Sequence, residues 1–367
     1  MNKYQIVIKS PTGIELKRLT KINQLVAGRT DKVTMPIEIV IPQILPPSYF
    51  SEDMIIELHR DNGTGTLTLD GETAYLLRDW EFYRTESGEE YIYLMAMDGN
   101  YIIDGREVEY DAGTTYADKS GVACDVIKEI VDENFVSATD TDRNISSAYF
   151  TVDSDDGLGA SVTKSFSRQQ VLSTIQNLVD QSRNAGTWIT FDTVYEGSLP
   201  FIFKTYTNQR GNDLRDTITL SVEAKTLSNP RLKFNYVDAK TAAYMGGKGR
   251  DEARLVGTAV SDSATNTPFS RREIVSENFQ VATEAALDNE ARELLNKNRP
   301  KRTLTGKIAS KKGLLYGRDW NFGDRVKATY KGYTFDCRIN GYEINYSKSG
   351  DKTTDEVIAY ILGEEEI

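Results

Sequence analysis

Short stretches with apolar residues at alternate positions fill the first hundred residues of the chain. Examples are YQIVIKS, VTMPIEIVIP and TAYLLRDWEFYR, and turns such as Asp61-Asn62-Gly63 and Ser87-Gly88 separate such stretches. A period of two is typical of strands with one buried face, and Asn and Gly accept the positive φ that tight turns need. Strands at this spacing predict an antiparallel barrel or sandwich. The pattern returns near the end of the chain, where YTFDCRIN alternates after the turn at Lys331-Gly332.

Three interior stretches have a helical period instead. SGVACDVIKEIVDENF carries an apolar stripe, and SRQQVLSTIQNLVDQSRNAG carries a stronger one that we expect to begin at a capping box of Ser167 and Gln170 and to end near Gly186. A third helix is predicted at about 283–297, before Pro300, which cannot continue it. The chain is therefore predicted to be mainly β with α+β insertions.

These patterns divide the 367 residues into four units, within the range of two to four that the length suggests. We expect a first β-barrel at 1–112 and an α+β domain at 113–210. A second β-barrel is expected from 211–250 together with 300–367, and a helix-containing insert at 251–299.

A repeated pentapeptide supports two related β-barrels, one at each end of the chain. RDWEF stands at 78–82 and RDWNF at 318–322, in a chain with three tryptophans, and both are followed by a predicted two-strand meander. An Arg-Asp pair beside a Trp is more typical of a local ion pair over an aromatic ring than of a reaction centre. We therefore interpret the repeat as structural.

Charge and cysteine content exclude several classes of function. The net charge is −11 and the calculated pI about 4.9, so the chain is not expected to collect phosphates by counterion release as nucleic-acid-binding proteins do. No stretch approaches the roughly 20 apolar residues of a membrane span, and the first residues do not resemble a signal peptide, so we expect folding in a cytosol. Cys124 and Cys337 are predicted to be buried thiols rather than a disulfide or zinc ligands.

One acidic stretch partly matches a calcium-binding loop. Asp140, Asp142 and Asn144 occupy its first, third and fifth positions. However, Ile145 stands where the sharp turn needs Gly, and Thr151 where the bidentate Glu belongs. A solvated acidic turn is the expected structure.

Other candidate sites are equally incomplete. The acidic stretch at Asp153–Gly157 lacks a full ligand set, and His59, the single histidine, lies in a predicted strand without a partner motif. The stretch Gly246–Asp251 contains three glycines but lacks the Gly-Lys-Ser/Thr order of a phosphate loop, so a tight turn between strands is expected. We predict no catalytic, cofactor-binding or metal-binding residue, and no enzymatic activity.

Five stretches together resemble the tail hub proteins of long-tailed bacteriophages, in the right order and over nearly the whole chain. They are LLRDWEFYR, YLMAMDGNYIIDGR, YMGGKGRDEARLVGT, RPKRTLTGKI and LYGRDWNFGDRVKATYKGYTFDCRINGYEI. Each is a strand or a turn, so the resemblance depends on their order.

The resemblance implies a structural ring protein of the virion, at the distal end of the tail and assembled in the host cytoplasm. Hubs of this kind are homotrimers in which every subunit supplies two tail-tube-like antiparallel β-barrels, so that three chains match a sixfold tube and present threefold symmetry to the tip. Implied partners are the distal tail protein or tail tube, a tip fibre or central spike, and the tape measure protein. Genomic DNA would pass through an acidic ring without specific binding during ejection into the host.

Two departures from the family are visible. Some hubs continue into a peptidase, glycosidase or fibre domain, whereas this sequence stops at Ile367 soon after its last strand. The usual Pro-Gly-Asp-like turn appears as Phe322-Gly323-Asp324.

Two other functions remain open from the sequence. A cell-wall hydrolase would need two carboxylates that converge in a cleft. A module that binds host glycans would place exposed aromatic side chains such as Trp188 and Tyr206 along a groove.

Overall fold

The computed structural model describes residues 3–42, 45–109, 116–309, 313–349 and 352–366, with the side chains of 349, 365 and 366 left out. Most of these residues form strands. Up to residue 210 the elements are β1 (Tyr4–Lys9), β2 (Glu15–Leu19), β3 (Gln24–Thr30), β4 (Pro36–Ile41), β5 (Ile55–Asp61), β6 (Leu67–Arg84), β7 (Glu90–Asp98), α1 (Tyr101–Asp104), β8 (Ala117–Val122), α2 (Ala123–Phe135), β9 (Phe150–Val152), β10 (Ser161–Phe166), α3 (Val171–Asn184), β11 (Ile189–Val194) and β12 (Phe201–Thr207).

The remaining elements again begin and end with strands. They are β13 (Thr219–Ser221), β14 (Leu227–Asn235), β15 (Ala242–Gly246), β16 (Val256–Val260), β17 (Glu273–Glu277), α4 (Glu284–Lys297), β18 (Lys301–Ile308), β19 (Arg325–Tyr330), β20 (Tyr333–Ser349) and β21 (Lys352–Glu366). The predicted boundary between residues 112 and 113 and the chain end at Ile367 lie outside the described residues.

One sheet of 13 strands contains both predicted β regions. Its order is β14-β18-β21-β20-β3-β4-β7-β6-β5-β1-β2, and β19 pairs with both β20 and β13. The alternation of apolar and polar residues predicted these strands, and their burial follows the same period of two. In β7, side chains from Tyr91 to Met97 are half-buried at every second position, and those between them are buried. Within the described residues, no strand pairing closes either half into a barrel.

The pairing of β3 with β20 joins the two halves of this sheet. Its antiparallel register runs from Gly341 opposite Thr30 to Ser347 opposite Gln24. One hydrophobic core spans both halves, because Leu25 of β3 and Ile339 of β20 belong to the same cluster of buried side chains. The two β regions are therefore packed together in a fixed arrangement.

An α+β unit with its own core packs beside the sheet. It contains the pair β8–β10, the sheet β11-β12-β9, and the helices α2 and α3, whose apolar stripes are buried. Helix α2 begins at Ala123, because residues 117–122 pair with β10. The predicted capping box is wrong, because Gln170 is the N-cap residue of α3 and not its third helical residue. The side-chain amide of Gln170 donates to the backbone oxygen of Asp104 at 3.0 Å.

A small unit follows, made of the sheet β16-β15-β17 and helix α4. Ala243 and Met245 of β15 form its core with Leu287 and Ala291 of the helix. Gly257 permits the close packing, since a Cβ there would lie 2.3 Å from the backbone of Leu287. Residues 242–246, predicted to belong to the second β region, therefore belong to the insert, which begins earlier than residue 251.

The two copies of the pentapeptide have different conformations. Trp80 lies inside the long strand β6, opposite Leu94 of β7. Trp320 instead lies in the turn region before β19, where it forms an isolated β-bridge with Tyr316. Arg318 does pair with the neighbouring Asp319 at 2.9 Å, but Arg78 pairs with Asp53 at 2.6 Å. The repeat therefore does not mark a duplicated structural unit.

Among the residues that the structure describes, no helix combines the length and the apolar character needed to cross a bilayer.

Candidate functional site: buried ionic contacts between units

A buried ion pair lies between the main sheet and the α+β unit. Arg29 of β3 and Asp192 of β11 form it, and only 2% and 3% of their side chains are exposed. Arg29 also donates to the backbone oxygen of Gly71 at 2.9 Å, and Arg210 donates to the second carboxylate oxygen of Asp192 at 2.6 Å. We call Arg29, Asp192 and Arg210 the ionic junction. It neutralises a carboxylate that burial would otherwise destabilise.

Asp98 and Asn100 extend the ionic junction. The Asn100 side chain donates to Asp192 at 3.3 Å and accepts from the backbone N–H of Thr193 at 2.9 Å, so it ties the end of β7 to β11. Asp98 accepts from the backbone N–H of Met35 at 3.0 Å. Burial raises the pKa of Asp98 to about 7, against the opposing effect of Arg29.

A second polar contact between the units centres on Glu57 of β5. It forms an ion pair with Lys9, accepts from the Tyr195 hydroxyl at 2.8 Å, and lies 2.8 Å from His59 Nε2. Burial opposes the charge, but hydrogen bonds from His59, Lys9 and Tyr195 lower the pKa of Glu57 below its ordinary value. His59 thus has a structural partner two residues away on its own strand.

A third polar contact lies between the two halves of the main sheet. Arg60 Nε donates to Asp70 at 3.0 Å, and the Tyr342 hydroxyl donates to the same carboxylate at 3.0 Å. Tyr316 also donates to Asp70, at 3.2 Å, and its ring centre lies 4.4 Å from that of Tyr342. Residues separated by more than 240 positions in sequence are therefore bonded to one carboxylate.

These three contacts share one chemical property. In each, a buried carboxylate is bonded to a cationic group and to further donors from distant parts of the chain. Such groups hold elements in a fixed arrangement, because removing any partner leaves a buried charge without compensation. Sequence reasoning missed Arg29, Asp192, Glu57 and Asp70, since nothing in their local sequence identifies a partner so far away.

The acidic stretches serve as turns. Asp140 Oδ1 accepts from the backbone N–H of Asp142 at 3.1 Å, and Asn144 Oδ1 accepts from the backbone N–H of Ala138 at 2.7 Å. In the stretch 153–157, Asp156 pairs with Lys128 at 3.1 Å. Across the described part of the chain, no three His, Cys, Asp or Glu side chains are grouped so that they could hold a metal ion.

The cysteines and glycines are placed as the sequence indicates. Cys124 and Cys337 are free and buried. Gly246–Asp251 includes the end of β15 and the turn that leads to β16, with Gly249 at a φ of +111°. Asp324 of the Phe322-Gly323-Asp324 turn is fully buried and accepts from the backbone N–H groups of Asn212 and Asn321, both at 2.6 Å.

The two aromatic residues considered for glycan binding are covered by arginines. The guanidinium carbons of Arg183 and Arg338 lie 4.6 and 4.2 Å from the ring centre of Trp188. That of Arg210 lies 5.6 Å from the ring centre of Tyr206, which is half-buried. Sugar binding on an aromatic ring needs a free face, whereas the ring of Trp188 is in contact with two arginines.

Exposed apolar side chains are concentrated between residues 234 and 279. This stretch contains Phe234, Tyr236, Val237, Val256, Val260, Phe269, Val275 and Phe279. Three of them, Val256, Val260 and Val275, lie on the face of the small sheet opposite α4, because their strand neighbours Gly257, Ala259 and Ile274 face the helix. We call these three valines the valine face.

The outer strands of the main sheet are protected against further strand pairing. β2 and β14 lie at its ends. β2 carries Glu15, Lys17 and Arg18, and β14 carries Pro230 and an irregularity between Ser228 and Arg231. Charges, proline and bulges on edge strands hinder the addition of another strand.

Three solved structures share this fold at low sequence identity. They are a prophage tail protein, gp18, from Listeria monocytogenes EGD-e (TM-score 0.54, 13% identity), the 43 kDa tail protein of prophage MuSo2 from Shewanella oneidensis (0.57, 11%) and a tail protein from Neisseria meningitidis MC58 (0.56, 12%). The matches cover 98%, 98% and 99% of this chain and 94%, 98% and 97% of the respective structures. The chain therefore has the fold of these tail proteins throughout.

Family membership rests on a separate sequence match. No curated protein matches the chain significantly. The model of one protein family does match, over residues 60–358, which is most of the chain and includes strands from both halves of the main sheet. The chain belongs to the Siphovirus ReqiPepy6 Gp37-like protein family.

Proposed function

We propose that this protein is a structural hub of a phage tail tip. Three copies would form a ring that adapts the sixfold tail tube to a threefold tip and lines the channel through which DNA leaves. Membership of a siphovirus family and the fold of phage tail proteins over 98% of the chain support a place in the tail. That the chain forms the hub at the tip of the tail is our proposal.

The observation that carries the proposal is the continuous sheet through β3 and β20. A subunit that matches two positions of a sixfold ring must hold two β bodies in a fixed relation. Here the two β regions share hydrogen-bonded strands and one hydrophobic core, with additional bonds at Asp70. Such a rigid pair is what a trimer needs in order to present six similar bodies.

The four sequence units take separate roles in this proposal. Residues 1–112 would form the first tube-like body, and 211–241 with 300–367 the second. The α+β domain at 113–210 would pack outside the ring, fixed by the ionic junction. The small unit would also lie outside and offer its valine face to a neighbouring tail protein, since exposed apolar side chains on one face can mark a contact site.

The acidic character of the chain fits a channel through which DNA slides. A net charge of −11 repels phosphates on average, so DNA would not be retained by the ring. Catalysis is not part of the proposal, since the buried carboxylates described above are bonded to cationic partners that hold the units together.

Copy number and position in purified tails test the proposal. Tails assembled with an affinity-tagged chain would be examined by quantitative mass spectrometry and by gold labelling of the tag. We expect three copies per tail and label at the distal end alone. Six or more copies, or label along the tube, would contradict a trimeric hub.

A further inference from the structure

A cavity of about 330 Å³ lies between the main sheet and the α+β unit. Its wall includes Arg338 and Asn340 of β20, Arg183 of α3, and Trp188, which precedes β11. Cavities of this volume match small-molecule ligands in size. The structural function proposed above does not use this cavity.

The wall of the cavity is positively charged although the chain as a whole is acidic. Five cationic side chains line the wall with three carboxylates: they are Lys32, Arg183, Arg210, Arg299 and Arg338 with Asp31, Asp192 and Glu364, and Lys32 also pairs with Asp180 next to the wall. The net charge of the chain is −11, so the charge of this wall is opposite in sign to that of the chain as a whole. A local potential of this sign attracts anions.

The carboxylates of the wall already have cationic partners. The ion pairs are Arg183–Asp31 at 2.9 Å, Arg210–Asp192 at 2.6 Å and Lys301–Glu364 at 2.8 Å. These carboxylates are therefore not available to balance the charge of a further arginine.

Arg338 is the cation without such a partner. Its Nε donates to the backbone oxygen of Asn208 at 2.9 Å, and its guanidinium lies against Trp188. Among the described residues, no carboxylate lies within ion-pair distance of it. Burial, together with repulsion by Arg325 and Arg183, lowers the pKa of Arg338 to about 10. A guanidinium in this position favours a bound anion.

Two polar atoms of wall residues are buried without a hydrogen-bond partner in the described part of the molecule. They are the acceptor Asn340 Oδ1 and the donor Arg210 Nη2, which lies 3.7 Å from Glu72. Buried polar atoms are normally bonded, so an unmet donor and an unmet acceptor indicate a bonded species with both functions. An anionic oxygen would satisfy the donor, and a hydroxyl would satisfy the acceptor.

We propose that this cavity binds a small anion that carries phosphate or carboxylate oxygens together with a hydroxyl group. The guanidinium of Arg338 pairs with the anionic oxygens while its ring contact with Trp188 fixes its plane. Arg210 donates to a second oxygen, and Asn340 accepts from the hydroxyl. The ligand thereby links β20 to the α+β unit.

Isothermal titration calorimetry on the full chain tests the proposal. Inorganic hydrogen phosphate is titrated in one arm and citrate in the other, both at constant ionic strength set with chloride. We expect saturable binding in at least one arm, and the stronger arm identifies the anion class. Arg338→Gln removes the charged donor and is expected to weaken that binding about tenfold or more. Arg271→Gln, at an exposed pair with Glu273 outside the cavity, is the matched control and should bind as the wild type does.

Two results of the titrations would overturn the proposal. Binding that is equal in wild type and Arg338→Gln occurs elsewhere and overturns the proposal, as does the absence of saturable binding of both anions up to about 10 mM. Circular dichroism checks that the Gln variant is folded. If it is not, Arg338→Lys keeps the charge but loses the planar pair of donors, and it must then bind more weakly than wild type.

Discussion

Arg29 and Asp192 are 163 positions apart in sequence, yet they form the centre of the contact between the main sheet and the α+β unit. Both are buried, and Asp192 also bonds Arg210 and Asn100. An arginine enclosed in this way depends on its carboxylate, because the protein interior solvates charge poorly.

Asp192→Asn tests that dependence. The amide keeps the shape of the side chain but leaves Arg29 buried without a counter-charge, so we expect the free energy of unfolding to fall by about 3 kcal/mol. Urea unfolding followed by circular dichroism measures this. Asp336→Asn, which breaks a partly exposed pair with Arg215, is the control and should change the unfolding midpoint little. Equal effects of the two substitutions would contradict the structural role of the ionic junction.

Asp98 makes stability depend on pH in a defined direction. Its pKa of about 7 in the folded chain lies above the value near 3.9 of an unfolded aspartate. The folded state therefore retains a proton that the unfolded state releases, and the contribution of Asp98 to stability is present at pH 4 and lost as the pH rises through 7.

Asp98→Asn should abolish this contribution. Between pH 5 and 8, wild type is expected to lose about 2.5 kcal/mol of unfolding free energy relative to the variant. Urea unfolding at four pH values measures the difference. The exposed Asp155→Asn serves as control, and its curve should run parallel to that of wild type. A constant difference between wild type and Asp98→Asn would show that Asp98 does not titrate in this range.

For individual residues, the sequence predicted burial better than it predicted which residues pair with each other. The buried thiols of Cys124 and Cys337 follow from composition and spacing, and they are confirmed. The partners of Arg29, Glu57 and Asp70 could not be predicted, because each pairing depends on which strands and units meet in the folded chain. Local sequence contains no information on that contact.

At the scale of elements, the antiparallel pairing of β3 with β20 joins the two β regions. Gly28 lies opposite Glu343 in this pairing, and a Cβ at position 28 would lie 2.6 Å from the backbone oxygen of Tyr342. A backbone oxygen in a ladder cannot move away without loss of the pairing. Gly28 therefore has a packing reason to be glycine.

Gly28→Ala is expected to lower the free energy of unfolding by about 1–3 kcal/mol, as overpacked core substitutions do. Hydrogen exchange should also speed up at the amides of β3 and β20. The matched control is Gly105→Ala, where no atom lies within 4 Å of the new Cβ. If both substitutions had the same small effect, the two strands would not be closely paired at this point.

The valine face gives a second prediction for an element. Val275 is 69% exposed, so Val275→Glu should leave the melting temperature nearly unchanged while it weakens any apolar contact with a neighbouring tail protein. Incorporation of the variant into tails, measured against wild type in the same preparation, should fall. Val222→Glu, at another exposed valine, is the control. Normal incorporation of Val275→Glu would exclude the valine face as a contact.

Elements with a strong period were predictable, and their ends were not. α2, α3 and α4 follow from the spacing of apolar residues. The helical pattern alone does not show where α2 begins, because residues 120–122 of the quoted stretch pair with β10 instead. β15 was assigned to the wrong unit for a similar reason: its partners β16 and β17 follow it in sequence and form a separate sheet.

For the whole molecule, the order of strands and turns carried more information than any single motif. The resemblance to tail hub proteins spans nearly the whole chain, and the fold likeness to solved tail proteins spans 98% of it at 11–13% identity. The tryptophan repeat, which looked most distinctive, has different conformations at its two positions. A five-residue match does not determine conformation, whereas a long series of alternating stretches does constrain the fold.

In the proposed assembly, three copies of a chain with two linked β bodies form the ring below a sixfold tube. A single-particle electron-microscopy map of the distal end of assembled tails would show this arrangement. We expect threefold density on the tail axis, with two β bodies from each subunit arranged as six around the channel. Density for this chain away from the axis, or a single β body per subunit facing the tube, would contradict it.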